Sequence, residues 1–405
     1  MENKKVILFT LIAVIVSDAL VYISWSYTIN INSSTYIILI LDYISIFVLI
    51  AFAYKSNWNE IPQIIKSLYR LWIFWNIFNF IRGMFVAGDY WDWKFLLMSS
   101  FSFTMIPLTF FYGKNLQIVK AIFRFVLKII FLLGFFIIPL ALITYSELYS
   151  RLMIPVSLFI LFIPYIKYKW KLLILIVSVT SVAICIDFRT NFIKIAFSLI
   201  LLLIYFFWKK LNLNWFRLAH LILFVLPLVF FILAVSGNYS LFEEFSQKQS
   251  IELNAKQQKN AFSDTRTFLY VEVLQSLNQT GHWILGESAS GTYRSSWFTD
   301  PEGNGRRWNC EVGILNILLH NGIIGCLIYF LLLFTVSRIA ITSSNNSLTK
   351  YLGLFIAFRW VMSFLEEYTQ FDLNFFFFWL KIGLVSNASF RQMNDNEIKD
   401  FFGFI

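Results

Sequence analysis

The stretch FRLAHLILFVLPLVFFILAV, residues Phe216 to Val235, decides the fold class. It is as long as the roughly 20 helical residues that cross a hydrocarbon layer of about 30 Å. Comparable apolar runs occupy Val6 to Tyr22, Tyr36 to Tyr54, Leu68 to Ala87, Phe95 to Tyr112, Ile129 to Tyr145 and Leu152 to Ile166. They continue through Leu172 to Ile186, Phe192 to Trp208, Val312 to Val336, Tyr351 to Leu365 and Leu373 to Val385. The composition agrees: 59% hydrophobic, 20% aromatic and only 14% charged, against about a quarter charged in soluble domains. The expectation is an all-α polytopic bundle of about 12 spans. Spans six and twelve are short, and Pro155 and Pro164 are placed to kink the sixth.

Val6 to Tyr22 follows Lys4 and Lys5 as the apolar core of a secretory signal would. Asp18 interrupts its end, and no small-x-small cleavage site follows between Ser24 and Asn30, so it reads as a retained first helix. Of the three cysteines, Cys185 and Cys326 fall in apolar runs and only Cys310 lies nearer water. That excludes a disulfide framework and CxxC-type zinc or iron sites.

The net charge of +10 is topogenic rather than a nucleic-acid footprint. Lysine and arginine gather at alternate span ends: Lys4 and Lys5; Lys55, Lys66 and Arg70; Lys114, Lys120, Arg124 and Lys128; Lys167, Lys169 and Lys171. The series ends with Lys209, Lys210 and Arg217, then Arg338 and Lys350, then Lys381, Arg391 and Lys399. By the positive-inside rule these ends and both termini are cytoplasmic. The chain then divides into a first membrane domain of nine spans (residues 1–235), an extracytoplasmic loop (236–310), a second membrane domain of three spans (311–386) and a cytoplasmic tail (387–405).

Inside the loop, Leu241 to Phe262 reads as an interfacial helix. Asp264 to Leu277 is a better-defined helix, capped by Ser263 or Asp264, with Leu269, Tyr270, Val273, Leu274 and Leu277 on one face and Gly281 after its end. Beyond it Trp283, Tyr293, Trp297, Phe298 and Trp308 suit sugar stacking or a lipid interface.

Charges at membrane depth are costly, so they are candidates for function. Arg189, in Asp187-Phe188-Arg189-Thr190-Asn191, opens a span where a helix N-terminus adds free amides to the guanidinium, an arrangement that welcomes phosphate. The bland alternative is a pair with Asp187. Arg266 opens the capped loop helix in the same way, and the two arginines together would clamp a diphosphate. Arginine stays protonated, so a base must come from elsewhere. Glu311 stands where the loop re-enters the membrane and desolvation favours its proton, although Arg306 and Arg307 nearby offer an ordinary ion pair. His282 and His320 are weaker candidates. Glu366 and Glu367, with Arg359 about two turns deeper, read as a structural network. No Gly-rich Lys-Ser/Thr loop, Asp-x-Asp or HExxH is present, so no cofactor or metal is expected and the substrate must arrive activated.

Ser263-Asp264-Thr265-Arg266, Trp283-Ile284-Leu285-Gly286, Gly291-Thr292-Tyr293, Glu311-Val312-Gly313 and Gly322-Ile323-Ile324-Gly325, in this order and spacing, resemble the O-antigen polymerase and ligase superfamily (Wzy-type). The resemblance covers about Cys185 to Phe334, and Arg189-Thr190-Asn191 matches that family's other arginine position. It departs in one respect: many relatives carry His-Asn where this chain has Glu311-Val312. The resemblance implies polymerisation of polyprenyl-diphosphate-linked oligosaccharides into O-antigen, capsule or exopolysaccharide at the outer face of the bacterial inner membrane. A chain-length regulator and a flippase would be partners. Arg189, Arg266 and Glu311 would be catalytic, and Arg189, Arg266, Asn191, Tyr293, Arg306 and Arg307 would contact substrate. The alternatives are a ligase, a lipid-oligosaccharide flippase using Asp18 and Asp42, or a C-type glycosyltransferase. Ser24 to Thr35 lacks the carboxylate expected of the last.

Overall fold

In a bilayer core the backbone has no water to bond, so apolar runs fold as helices that satisfy themselves. The computed structural model describes residues 2–26, 32–143, 146–184, 189–208, 211–235, 267–296, 305–366 and 371–403. Among these residues the apolar runs are helical, and the one sheet is a two-residue antiparallel ribbon pairing Tyr293 with Arg307 and Arg294 with Arg306. Among the described residues, six helices are long and apolar enough to cross a membrane: Ile37–Lys55, Tyr90–Gly113, Leu116–Pro139, Thr190–Phe207, Leu213–Ile232 and Gly313–Thr342. Phe47, Leu203, Leu221 and Val229 stand exposed on them, a surface suited to lipid and a liability in water. The protein is an all-α membrane protein.

Other apolar runs are helical without meeting that standard. Gln63–Val86 is long but carries Lys66, Arg70 and Arg82, and Tyr168–Ile184 and Ser347–Met362 have only 17 and 16 residues. The stretch expected as span six turns at Met153 to Pro155 between helix Ser146–Leu152 and the short helix Val156–Tyr165. Pro155 and Pro164 each lack an amide donor. A helix of that length rises only about 15 Å, and Val156, Phe159 and Ile160 are wholly buried, so it fills the bundle interior. The loop helix runs Thr267–Thr280, with Leu269, Val273 and Leu277 buried and Gly281 after it at φ 73°. The interfacial helix expected over Leu241 to Phe262 lies outside the described residues.

One break organises the loop-bearing end of the bundle. Helix Gly313–Thr342 is interrupted at Gly322, whose φ of 65° and ψ of −171° suit glycine alone. The groups freed by the break are met by loop backbone and by Trp75 of the neighbouring helix. Ile323 N donates to Trp283 O at 2.9 Å, and Glu287 N donates to Leu319 O at 2.6 Å. Trp75 Nε1 donates to Asn321 O at 2.9 Å. The fit leaves no room for a side chain: a Cβ on Gly286, itself at φ 73°, would lie 2.6 Å from Gly322 N. Arg82 then pins the loop from the neighbouring helix, donating to Leu285 O at 2.9 Å and Gly286 O at 3.0 Å.

Gly322→Ala is therefore expected to combine backbone strain of about 1–3 kcal/mol with a clash against Ile284 O. Thermal unfolding of the purified protein in detergent should show a clear loss of stability. An unchanged unfolding temperature would contradict the docked-loop description.

Candidate functional site

The docked loop roofs a small pocket whose free space for a water-sized sphere is about 20 Å³, room for about one water molecule. Its walls are carboxamides, hydroxyls and rings: Asn76 and Asn79 from helix Gln63–Val86, Ser99, Ser100 and Thr104 with Phe95 and Phe103 from the next helix, and Asn309, Asn316, His320 and Asn321. Among the described residues, no lining side chain carries a fixed charge. The sequence builds it simply. Asn76 and Asn79 share a helix face with Trp72 and Gly83. A π-helical stretch, Leu96–Ser100, turns Ser99 and Ser100 inward.

Several of these groups are spent on the scaffold. Asn316 accepts from Cys310 N and donates to Cys310 O, each at 2.8 Å. Asn79 donates to Asn321 Oδ1 at 3.1 Å and accepts from Arg82 at 2.6 Å. Ser100 Oγ donates to Ala289 O. Other groups remain available among the described residues, namely Asn76 Oδ1, Asn321 Nδ2, Asn309 Nδ2 and the Ser99 hydroxyl. His320 Nδ1 bonds Ser288 O at 2.9 Å, and its Nε2 lies 3.2 Å from Asn309 Oδ1. Such a mixed donor and acceptor set suits a single hydroxyl of a neutral polyol.

The residues expected from sequence fall around this pocket rather than in it. Arg189 opens helix Arg189–Phe207 as expected, but its side chain, like all of Arg266, lies outside the described residues. Asn191 is buried and donates to Ser150 Oγ at 2.7 Å, which spends its amide on packing. Tyr293 is fully buried in the ribbon, and burial pushes its phenol pKa up. Arg306 bonds Asp89 and stacks over Trp308 at 5.0 Å. The Asp92 amide, followed by Arg306, holds the Asp89 carboxyl below its usual range. Arg307 pairs with Tyr293 across the ribbon, and Glu311 is partly exposed outside the pocket lining.

Beyond the loop base, Glu366 joins three helices. Lys194 Nζ meets its Oε2 at 2.8 Å and Arg359 Nη1 meets its Oε1, while Asn374 Nδ2 donates to Oε1 at 3.2 Å. Arg359 is 1% exposed and Lys194 3%, so the carboxylate is what permits both cations there. Asp372 and Asp18 cap the adjoining helix through Phe375 N and Leu373 N, at 2.8 and 2.9 Å. The Arg359–Glu366 pairing was legible in sequence. Lys194 and the asparagines were not, although Asn76-x-x-Asn79 inside an apolar run was a visible signal. Comparisons with protein-family profiles, with curated proteins and with solved structures return no match.

Glu366→Ala would strand two buried cations, a loss of about 3–5 kcal/mol. Folded yield and detergent melting temperature should both drop sharply. Normal stability of the variant would show that the cluster does not hold the helices together.

Proposed function

We propose that this chain transfers glycosyl units from a lipid-diphosphate-linked oligosaccharide to a sugar hydroxyl, polymerising repeat units into surface polysaccharide. The observation that carries the proposal is the uncharged amide-and-hydroxyl pocket, with one imidazole, at the loop-bearing end of a membrane bundle. Such walls bond sugar hydroxyls without demanding a charged ligand. The pocket would take the reacting hydroxyl of the acceptor sugar. Arg189 and Arg266 would hold the donor diphosphate through charge-assisted contacts and stabilise it as it leaves.

The charge distribution supports an extracytoplasmic site in a bacterial inner membrane. Lys66, Arg70 and Lys114 gather around Trp58 at the far end of the bundle. The C-terminal segment ties down there through Asn387 Nδ2 to Lys114 O at 2.8 Å. Cations on that side match cytoplasmic termini. A chain-length regulator and a flippase would work alongside it. One observation favours a transport reading instead: buried ionisable groups such as Lys194, Arg359 and Glu366 mark ion pathways in transporters.

Purified protein given polyprenyl-diphosphate-linked repeat units extracted from the source cells should yield a ladder of polymer lengths. Arg189→Ala and Arg266→Ala should each abolish the ladder while the protein still inserts. Movement of the lipid-linked repeat across proteoliposomes without any ladder would favour transport and end the polymerase proposal.

A further inference from the structure

Glycosyl transfer needs a base within reach of the acceptor hydroxyl, and among the described residues the single titratable side chain lining the pocket is His320. Resting on the glycosyl-transfer reading above, we infer that His320, rather than Glu311, is the catalytic base that takes the acceptor proton.

The Ser288 carbonyl favours one tautomer. Nδ1–H donates to Ser288 O at 2.9 Å, so in the neutral ring the lone pair sits on Nε2. Ser288 is completely buried at φ 79°, a conformation that costs a non-glycine residue about 1–3 kcal/mol. That strained residue presents the carbonyl that holds the imidazole, and Gly291 N bonds the same oxygen at 3.0 Å. Phe95 stacks on the ring at 5.7 Å and limits its rotation. On the Nε2 side stand the Asn309 carboxamide, 3.2 Å away, and the Trp308 carbonyl. These oxygens accept the N–H that the ring gains, which stabilises the imidazolium. While the ring is neutral, the Asn309 amide can turn its NH2 toward Nε2. Glu311 is placed differently, facing Tyr293 in company with Arg307 and Glu272.

In the step itself, Nε2 takes the proton from the acceptor O–H. The oxygen's electron pair forms the new bond to the donor's anomeric carbon. The bond from that carbon to the diphosphate oxygen breaks, and its electron pair departs with the lipid diphosphate. The imidazolium then returns its proton to the leaving diphosphate or to water.

Among the described residues, Glu287 from the loop acts on the ring, and the elements packed around it carry Arg82, bonded to Gly286 O, Asp92, bonded to Trp308 Nε1, and Arg306, stacked over Trp308. Its own helix carries no charge before Arg338. The experiment is polymer synthesis by the full-length purified protein from extracted polyprenyl-diphosphate-linked repeats, measured across pH and normalised to folded protein. His320→Gln should lose about 10²- to 10⁴-fold in turnover, and Glu311→Gln should lose at least about tenfold less. In wild type the rate should fall on the acid side as the imidazole is protonated. Asn309→Asp places a carboxylate beside Nε2, favours the imidazolium and should move that acid limb to higher pH. Near-normal turnover by His320→Gln, or an unmoved acid limb in a folded Asn309→Asp, would overturn the assignment while leaving the polymerase proposal standing. A wild-type protein that makes no polymer would overturn both.

Discussion

The backbone-on-backbone contact between Gly286 and Gly322 is the constraint on which the rest of the structure depends. A helix broken at membrane depth is tolerable only when its freed amides and carbonyls find partners inside the protein. Here the partners are loop backbone atoms together with Trp75 Nε1, so the loop is a structural element of the bundle. Once it is seated, Ala289 N bonds Asn79 O at 3.2 Å and Ser290 Oγ bonds Gly83 O at 2.9 Å. Those bonds close the roof over the carboxamides. The break also sets where His320 and Asn321 stand, since both lie in the half-turn immediately before it.

Polar groups are sorted into two regions with different physical tasks. The pocket is neutral, and its groups are divided between scaffold bonds and bonds left for a ligand. The cluster around Glu366 is ionic and buried, with Gly313 N on the Glu366 carbonyl at 2.7 Å tying it to the start of the broken helix. A buried ion set of this kind gives little net stability over an apolar packing but penalises the loss of any one member severely. It therefore fixes how the helices bearing Lys194, Arg359 and Asn374 meet, and through Gly313 it supports the pocket from beneath.

The helical class was legible because block hydrophobicity has one physical solution in lipid. The loop helix was legible too, through the spacing of Leu269, Val273 and Leu277 and the glycine that follows. Span boundaries were less so. The fate of Leu152 to Ile166 turned on whether its prolines would kink a crossing or divide it, and hydropathy does not distinguish these. The candidate site was read through charge, which singles out Arg189, Arg266 and Glu311 as costly at membrane depth. Uncharged asparagines raise no such flag, and His320 looked incidental until the break at Gly322 and the loop carbonyl of Ser288 placed it at a pocket wall. Gly286 and Gly322 were noticed as motif glycines, but their mutual contact spans residues far apart in sequence.

The most direct measurement is an electron cryomicroscopy structure of the protein in lipid nanodiscs with a polyprenyl-diphosphate-linked repeat bound. A sugar hydroxyl is expected to enter the pocket between Asn76, Asn309 and Asn321, with its oxygen about 3 Å from His320 Nε2. A sugar bound elsewhere on the bundle, with the pocket filled by its own side chains, would contradict the assignment of this pocket as the acceptor site.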